Sequence, residues 1–298
     1  MHEPILKYKK ARYFFVTVVM LVICALIYAS QTGGRQPPNG GTWQGYVLGV
    51  LAAALIVWLT LLGRRKRNYR ARLGSLQGWV SAHVYLGTSL LVVATLHCAV
   101  QFGYNVHTLA YLLMCLVIFS GFLGVYVYMR YPRLGTHNRA NRSREELFTE
   151  LGSLNDSVRK LSKQCDPQVQ AVVDSAVDRT NIGGGVLAQL MAIDASQMLV
   201  VADENNQSMA TTRVSNRHQQ ALVDFIAQRI PRSRRQDEAA NLQELLTMLC
   251  RRQALLHKIR KDIQLQSWMQ IWLYVHIPLT IALLFVLAIH IVSVFFYW

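Results

Sequence analysis

The sequence predicts an all-α membrane protein with five transmembrane helices and a mostly helical insert between the fourth and the fifth. Five apolar runs are each long enough to cross a hydrocarbon core of about 30 Å at about 1.5 Å per residue. Basic residues gather at the ends of these runs, as is typical of membrane topology. The predicted spans cover residues 12–30, 45–63, 76–102, 107–130 and 268–298.

The charge distribution argues against a nucleic-acid-binding protein. The chain has 298 residues, of which 52% are hydrophobic, and a formal net charge of +15. Residues 133–266 hold 19 Lys and Arg against 15 Asp and Glu, so this segment is only weakly basic. The remaining positive charge flanks the apolar runs, where Glu3 is the sole acid. We therefore expect membrane lipid, and no nucleic acid, among the partners.

The basic segments also predict the orientation. The N-terminal segment, the connection at 64–72 (RRKRNYRAR) and the segment after residue 130 are rich in Lys and Arg, whereas the 103–106 turn has none. Basic segments stay on the cytoplasmic side, so the N-terminus is expected there and the C-terminus in the periplasm of a bacterial inner membrane. The predicted domains are 1–132 (helices 1–4), 133–266 (cytoplasmic stalk and head) and 267–298 (helix 5).

The insert has the pattern of a helical hairpin with a small head. Ser143 and Glu146 form a predicted capping box, and leucines at spacings of three and four follow on both sides of the head, with Arg252 at one seam position. We predict a short strand at 198–203. The NIGGG segment at 181–185 is neither a GxGxxG nor a Walker loop, so a turn is favoured over a nucleotide site. The predicted antiparallel helices are 143–161 and 242–263.

The five cysteines of the chain do not suggest a metal cluster or a disulfide framework. They contain no CxxC pair and no zinc-like spacing. An iron–sulfur cluster held by this chain alone is therefore not expected.

Four histidines carry the functional signal. His83 and His97 lie fourteen positions apart in the third span, and His276 and His290 repeat that spacing in the fifth. Fourteen helical residues bring a side chain back to within about 40° of its starting direction and about 21 Å along the axis. The two spans cross in the same direction, so His83 matches His276 in depth and His97 matches His290. A lone membrane histidine more often makes an interhelical hydrogen bond, but two matched pairs predict axial ligands of two haem irons.

The two H-x13-H patterns resemble those of the bis-histidine dihaem cytochromes b. This group includes the ferric-reductase and NADPH-oxidase transmembrane domain and the cytochrome b of quinol–cytochrome c reductases. The resemblance covers residues 76–130 and 268–298, and it implies two b-type haems, a haem-binding bundle and electron transfer across the membrane. The chain departs from the group in lacking a PEWY-like quinol motif and in carrying the large insert.

Two function classes follow from these observations. The leading expectation is a dihaem b-type cytochrome, an electron-transfer subunit of an oxidoreductase complex, which exchanges electrons with a quinone pool or with partner redox subunits. An extracytoplasmic c-type cytochrome or iron–sulfur subunit is the expected partner, and the stalk is a candidate surface for homo-oligomers. The alternative is a membrane signalling receptor with a coiled-coil cytoplasmic domain.

Other polar residues carry a weaker functional signal than these four histidines. His107, at the outer start of the fourth span, is a candidate acceptor of a quinol proton, although an interfacial histidine without that role is favoured. Arg35, Arg72, Arg130 and Arg133 are candidates for pairing with haem propionates, although topology charges explain them more simply. His137, His218 and His257 are expected to be exposed to solvent.

Overall fold

The chain is an integral membrane protein, and its structure is mostly helical. Five helices are long and apolar enough to cross a bilayer. The structure, a computed structural model, describes residues 8–30, 39–67, 74–202, 210–233 and 236–296; Arg35 and Arg72 lie outside these ranges. The five helices are α1 (Tyr8–Ala29), α2 (Trp43–Arg67), α3 (Leu76–Cys98), α4 (Val106–Asn138) and α9 (Gln236–Phe296).

The chain divides into two compact units. The membrane unit consists of Met1–Tyr126 and Trp272–Trp298, and the insert unit consists of Val127–Ile271. The sequence-based division places its two boundaries at 132/133 and 266/267, five or six residues from these positions. Both α4 and α9 contribute residues to both units, since each of these helices continues past a boundary.

In the membrane unit, α3 packs against both α1 and α2. Its first turn is capped by the side chain of Ser75, which accepts a hydrogen bond from the backbone N–H of Gly78. The helix ends at Cys98, four residues before the predicted end, because Ala99 and Val100 adopt left-handed backbone angles with φ of 49° and 61°. A left-handed residue terminates an α-helix. The apolar core is formed by Cys24, Leu48, Ala52, Leu55, Ile56, Leu90, Val93, Ala94, Met114, Ile118 and Leu283.

Two of the spanning helices extend well past their predicted cytoplasmic ends. The fourth continues through Pro132 to Asn138, eight residues beyond the predicted end at residue 130. The fifth predicted span is the C-terminal part of α9, a helix of 61 residues. Apolar length marks where a helix lies in lipid, but a polar sequence can continue the same helix into water, so hydropathy locates the membrane portion only.

Within the described residues, the insert unit is mainly helical and contains a small two-stranded sheet. Its helices are α5 (Arg144–Ser162), α6 (Pro167–Asp178), α7 (Val186–Leu190) and α8 (Gln220–Ala227), with 3₁₀ turns at Arg217–Gln219 and Ile230–Arg232. The capping box of Ser143 and Glu146 is confirmed. Strand β1 (Gln197–Ala202) confirms the predicted strand through residue 202. It pairs antiparallel with β2 (Ala210–Ser215), which the sequence did not predict; Gln197 lies opposite Ser215 and Ala202 opposite Ala210.

The two leucine seams of the insert meet in its core. Ion pairs fix the antiparallel order of α5 and α9: Arg144 contacts Asp262 at 2.5 Å, and Arg251 contacts Glu150 at 2.6 Å. The buried seam residues are Leu147, Leu151, Leu154, Val158 and Leu161 on α5, and Leu242, Leu245, Leu249, Leu256 and Ile259 on α9. The head contributes Val169, Val172, Val173, Ala176, Met198, Leu222 and Ile226 to the same cluster.

A buried arginine interrupts the α9 seam. Arg252 is 1% exposed, and its three nitrogens donate to Asn155 Oδ1 (2.7 Å), Gln219 Oε1 (2.5 Å) and Thr180 Oγ1 (2.7 Å). Burial lowers the pKa of this guanidinium to about 10, so it remains charged at neutral pH. Two helical turns further on, Arg260 forms a buried ion pair with Asp194 at 2.8 Å. Both side chains therefore have hydrogen-bond partners inside the protein.

Candidate functional site

The two histidines of α3 are bound to the backbone of α2. Both are half-buried. The Nδ1 atom of His83 lies 3.1 Å from the carbonyl oxygen of Leu59, and Nδ1 of His97 lies 2.8 Å from that of Gly45. A carbonyl oxygen only accepts a hydrogen bond, so each ring must donate through Nδ1–H. In the neutral ring the lone pair of Nε2 is then left for another partner.

His276 reaches the same protonation state through a side chain of α4. Its Nδ1 atom lies 2.7 Å from Ser120 Oγ. The hydroxyl of Ser120 donates its proton to the carbonyl oxygen of Val117 at 2.8 Å, so Ser120 Oγ accepts from the histidine. His276 is therefore also an Nδ1–H donor with its Nε2 lone pair remaining.

Gly49 of α2 and Gly40, which precedes that helix, make room for the His97 ring. A Cβ atom added at Gly49 would lie 2.7 Å from Cε1 of His97, and one added at Gly40 would lie 3.4 Å from that atom. Gly45, one turn before Gly49, supplies the carbonyl that accepts from the ring. Helix α2 thus holds His97 at a distance that any larger residue at position 49 would prevent.

A tryptophan of the same helix packs against the ring of His276. The indole of Trp272 stacks on the His276 ring with centroids 5.1 Å apart and an interplanar angle of 29°. Its Nε1–H donates to the carbonyl oxygen of Ser120 at 2.6 Å. The indole occupies the space where a side chain at Gly124 would stand, so this close approach of α4 and α9 requires glycine at position 124.

The structure brings His97 and His290 together across α3 and α9. Their ring centroids lie 6.2 Å apart, and the ring planes are nearly perpendicular at 81°. At this spacing His97 and His290 would be the residues that hold one haem iron, each through one ring nitrogen.

A third histidine joins that pair. Nδ1 of His107, at the start of α4, forms a short hydrogen bond with Nδ1 of His290, and the two ring centroids are 4.4 Å apart. One of these nitrogens must donate and the other accept. His107 is exposed, whereas His290 is half-buried. The sequence did not predict this contact of His107 with a candidate ligand. The favoured assignment of His107, an interfacial histidine without the role of quinol-proton acceptor, stays a prediction.

His83 and His276 are held by different helices, through Leu59 of α2 and Ser120 of α4. His83 is separated from His97 by fourteen residues of α3, and His276 from His290 by fourteen residues of α9. That separation corresponds to about 21 Å of helical rise in each case. Each of the two helices therefore carries one histidine near either end of its membrane-spanning part, and contact is observed between His97 and His290.

The donor chemistry of the four rings fits haem better than a bare metal ion. Within the ranges that the structure describes, no hydrogen bond reaches Nε2 of any of the four. Among those same residues, no group of three or more His, Cys, Asp or Glu could hold a metal ion. A haem iron needs only two protein ligands, because the porphyrin supplies four nitrogens. A hydrogen bond at Nδ1 is also the usual support of a metal-binding imidazole.

The other histidines and arginines singled out from the sequence lie on the surface where the structure describes them. His137, His218 and His257 are exposed, as predicted, and so are Arg130 and Arg133. The supporting residues Leu59, Ser120 and Trp272 were not identified from the sequence. The G-x3-G spacing of Gly45 and Gly49 is a signal that could have located the close contact between α2 and α3.

Comparisons with known proteins add no family to this description. No protein-family model, no curated protein and no solved structure matches the chain.

Proposed function

We propose that this chain is a dihaem b-type cytochrome, the membrane subunit of an electron-transfer complex. His83 and His276 would hold the haem on the cytoplasmic side, and His97 and His290 the haem on the periplasmic side. Five helices long and apolar enough to span a bilayer provide the setting. Low-dielectric surroundings suit a neutral imidazole, which is the form that ligates iron.

One observation supports this proposal above the others: all four rings use Nδ1 for a hydrogen bond and keep Nε2 for a further partner. A histidine that serves only helix packing gains from satisfying both nitrogens, since an unpaired polar atom in lipid is costly. Three rings are fixed as Nδ1–H donors by Leu59, Gly45 and Ser120. That tautomer presents the lone pair which axial ligation requires.

The protein residues would bind, orient and insulate the redox groups. Bound haem supplies one-electron chemistry at an iron whose potential depends on its ligands and on the surrounding polarity. Hydrogen bonds at Nδ1 make the imidazoles more basic and fix their ring planes. The glycines at 49 and 124 admit His97 and Trp272 at close range. Electrons would cross between two sites whose ligands lie about 21 Å apart along each helix.

The electron donors and acceptors would be other molecules. We propose a quinone pool or partner redox subunits, with an extracytoplasmic c-type cytochrome or an iron–sulfur protein as the periplasmic partner. The positive-inside pattern supports a bacterial inner-membrane location with the N-terminus in the cytoplasm. The insert would then lie in the cytoplasm, where it could dock a partner or a second copy of the chain.

The direct test is the haem content of the purified chain. The full chain is expressed in haem-replete cells, and a pyridine haemochrome assay is combined with a reduced-minus-oxidised spectrum. We expect two b-type haems per chain and low-spin, six-coordinate spectra. His257→Ala, which alters an exposed histidine of the same helix α9, is the matched control and should keep both haems. Folded protein without haem would refute the proposal.

A membrane signalling receptor is the second candidate, and the helical hairpin of the insert is the observation that favours it. The α5 and α9 seams form the apolar core that such a cytoplasmic domain needs. This function gives no reason for three imidazoles that keep an Nε2 lone pair. The same redox spectrum distinguishes the two candidates, because a receptor of this kind would show no haem bands.

A further inference from the structure

Helix α7 and the turn after it expose a concentrated apolar surface. Val186 is 59% exposed, Leu187 69%, Met191 68% and Ile193 48%. Residues 180–193 contain no charged side chain. A surface of this kind on a soluble domain usually marks a binding partner or a membrane contact. We refer to Val186, Leu187, Met191 and Ile193 together as the α7 surface.

Hydrogen bonds tie α7 to the last turn of α9 before the apolar run of the fifth span. Gln264 Nε2 donates to the carbonyl oxygen of Leu190 at 2.9 Å, and Ser267 Oγ donates to Gln189 Oε1 at 3.0 Å. The next residue after Ser267 is Trp268, which is 40% exposed and begins the apolar run. Helix α7 is therefore attached about one helical turn from the point where α9 enters lipid.

The rest of the insert differs from this surface. Its seam residues and its head are packed into one buried cluster. Lys261, one turn before Gln264, is exposed and donates to Gln264 Oε1 at 2.9 Å, which places a positive charge beside α7. The neighbouring acidic residues, Asp194 and Asp262, are buried and paired with arginines. The exposed surface therefore combines apolar side chains with a neighbouring Lys, which is the composition of a segment that lies in the headgroup region of a bilayer.

We propose that the α7 surface inserts into the lipid leaflet from which the fifth span begins. The occupant is the bilayer itself: the attachment at Gln264 and Ser267 holds the surface at the depth of the headgroup and acyl boundary, where apolar side chains are buried about 5–10 Å deep. The insert is thereby anchored to the membrane at a second place besides its two connections. Gly184, with φ of 119°, provides the backbone conformation through which the chain enters α7.

The test measures the depth of single labels in lipid. The full chain, with its five native cysteines replaced by alanine, receives Leu187→Cys or Met191→Cys and a bimane label. It is placed in nanodiscs of phosphatidylcholine and phosphatidylglycerol, with or without lipids that carry a nitroxide on the acyl chain. We expect quenching about threefold greater than at a Gln243→Cys control, which lies on α9 about 30 Å before Gln264.

Equal quenching at positions 187, 191 and 243 would overturn the proposal. A shielded, blue-shifted label at 187 without acyl-chain quenching would also overturn it, because it would indicate a protein partner. Since replacement of the cysteines can impair folding, a second measurement uses the native cysteines. Benzoylphenylalanine at position 187 should yield phospholipid adducts by mass spectrometry on illumination, and the same group at 243 should not. Absence of lipid adducts at 187 in folded protein would count against insertion.

Discussion

The arginines buried in the insert unit and the half-buried histidines of the membrane unit use their polar atoms in different ways. In the insert, Arg252 gives all three nitrogens to acceptors and Arg260 is paired with Asp194. In the membrane unit, His83, His97 and His276 each use one ring nitrogen and keep the other. Lipid offers no water to complete the second hydrogen bond. The free-energy cost of an unpaired ring nitrogen is therefore greatest in this environment.

Complete or incomplete hydrogen bonding separates a structural polar group from a candidate binding group. A buried group with all its hydrogen bonds made contributes to the specificity of packing and needs no ligand. A group that keeps a donor or acceptor inside the bilayer calls for a further partner. By this criterion the arginines of the insert are structural, and the histidines of the two spans are candidates for a binding site.

Loss of a haem is the largest effect that the comparison predicts. On the proposed function, His276→Ala and His83→Ala should each remove, or convert to high spin, one and the same spectral component, because each would take one protein nitrogen from the same iron. His97→Ala and His290→Ala should affect the other component. Difference spectra of the four variants, measured with the haemochrome content, check the pairing. If His83→Ala and His290→Ala shared a component, the parallel arrangement of the third and fifth spans would be wrong.

Arg252→Met should lower the free energy of unfolding of the insert unit by about 3 kcal/mol, because the oxygens of Asn155, Gln219 and Thr180 lose their buried hydrogen-bond donor. Pulse proteolysis of the full chain over a urea series measures this change. The haem spectrum should stay unchanged, since Arg252 belongs to the insert unit.

The neighbouring exposed residue provides the matched control for that variant. The Arg251 side chain is 68% exposed, so Arg251→Met should cost less than about 1 kcal/mol. Equal effects of the two substitutions would show that the buried network is not stabilising, and the contrast between the units would then be lost.

A smaller effect is expected from a methyl group beside a candidate ligand. The Cβ of Gly49→Ala would meet Cε1 of His97 at 2.7 Å, so the ring must move and the component that depends on His97 and His290 should shift or lose occupancy. Electron paramagnetic resonance of the oxidised protein reports the ring orientation. Gly63→Ala on the same helix has nothing within 4 Å of the added atom and should leave the signal unchanged.

The smallest predicted effect concerns the surface charges of the insert. The Arg251 hydrogen bond, aided by Arg142, holds the pKa of Glu150 below its ordinary value. A depressed carboxyl pKa stabilises the native state above the ordinary pKa, and this contribution is lost as the pH falls through the folded-state pKa. Glu150→Gln should therefore cost about 0.5 kcal/mol at neutral pH and progressively less in acid. Urea midpoints at several pH values check this, and a difference that does not change with pH would contradict it.

The sequence predicted those features that depend on local periodicity. Five spans, the capping box of Ser143 and Glu146, and strand β1 follow from hydropathy, caps and residue type. The early end of α3 was not predictable, because Ala99 and Val100 carry none of the Gly or Asn signals of a left-handed residue. Strand β2 has no apolar alternation that identifies it, and it forms by pairing with β1.

For the candidate site, the sequence predicted the positions of the histidines along their helices but not their hydrogen-bond partners. The fourteen-residue spacing places His83 beneath His97 and His276 beneath His290 on their helices by geometry alone. Their hydrogen-bond partners depend on which helix packs beside them and at what rotation, and a single sequence does not encode that in a local pattern. The carbonyls of Leu59 and Gly45 are invisible to residue-type reasoning, since every residue carries one.

The source of each hydrogen bond determines what mutation and selection can change. The Nδ1 atoms of His83 and His97 are held by main-chain oxygens of α2, which no substitution can delete. The Nδ1 atoms of His276 and His290 are held by the side chains of Ser120 and His107, which a single codon change can replace. A single substitution can therefore remove the Nδ1 hydrogen bond of either histidine of α9. The acceptors of the two histidines of α3 are backbone atoms and remain whatever side chain is present.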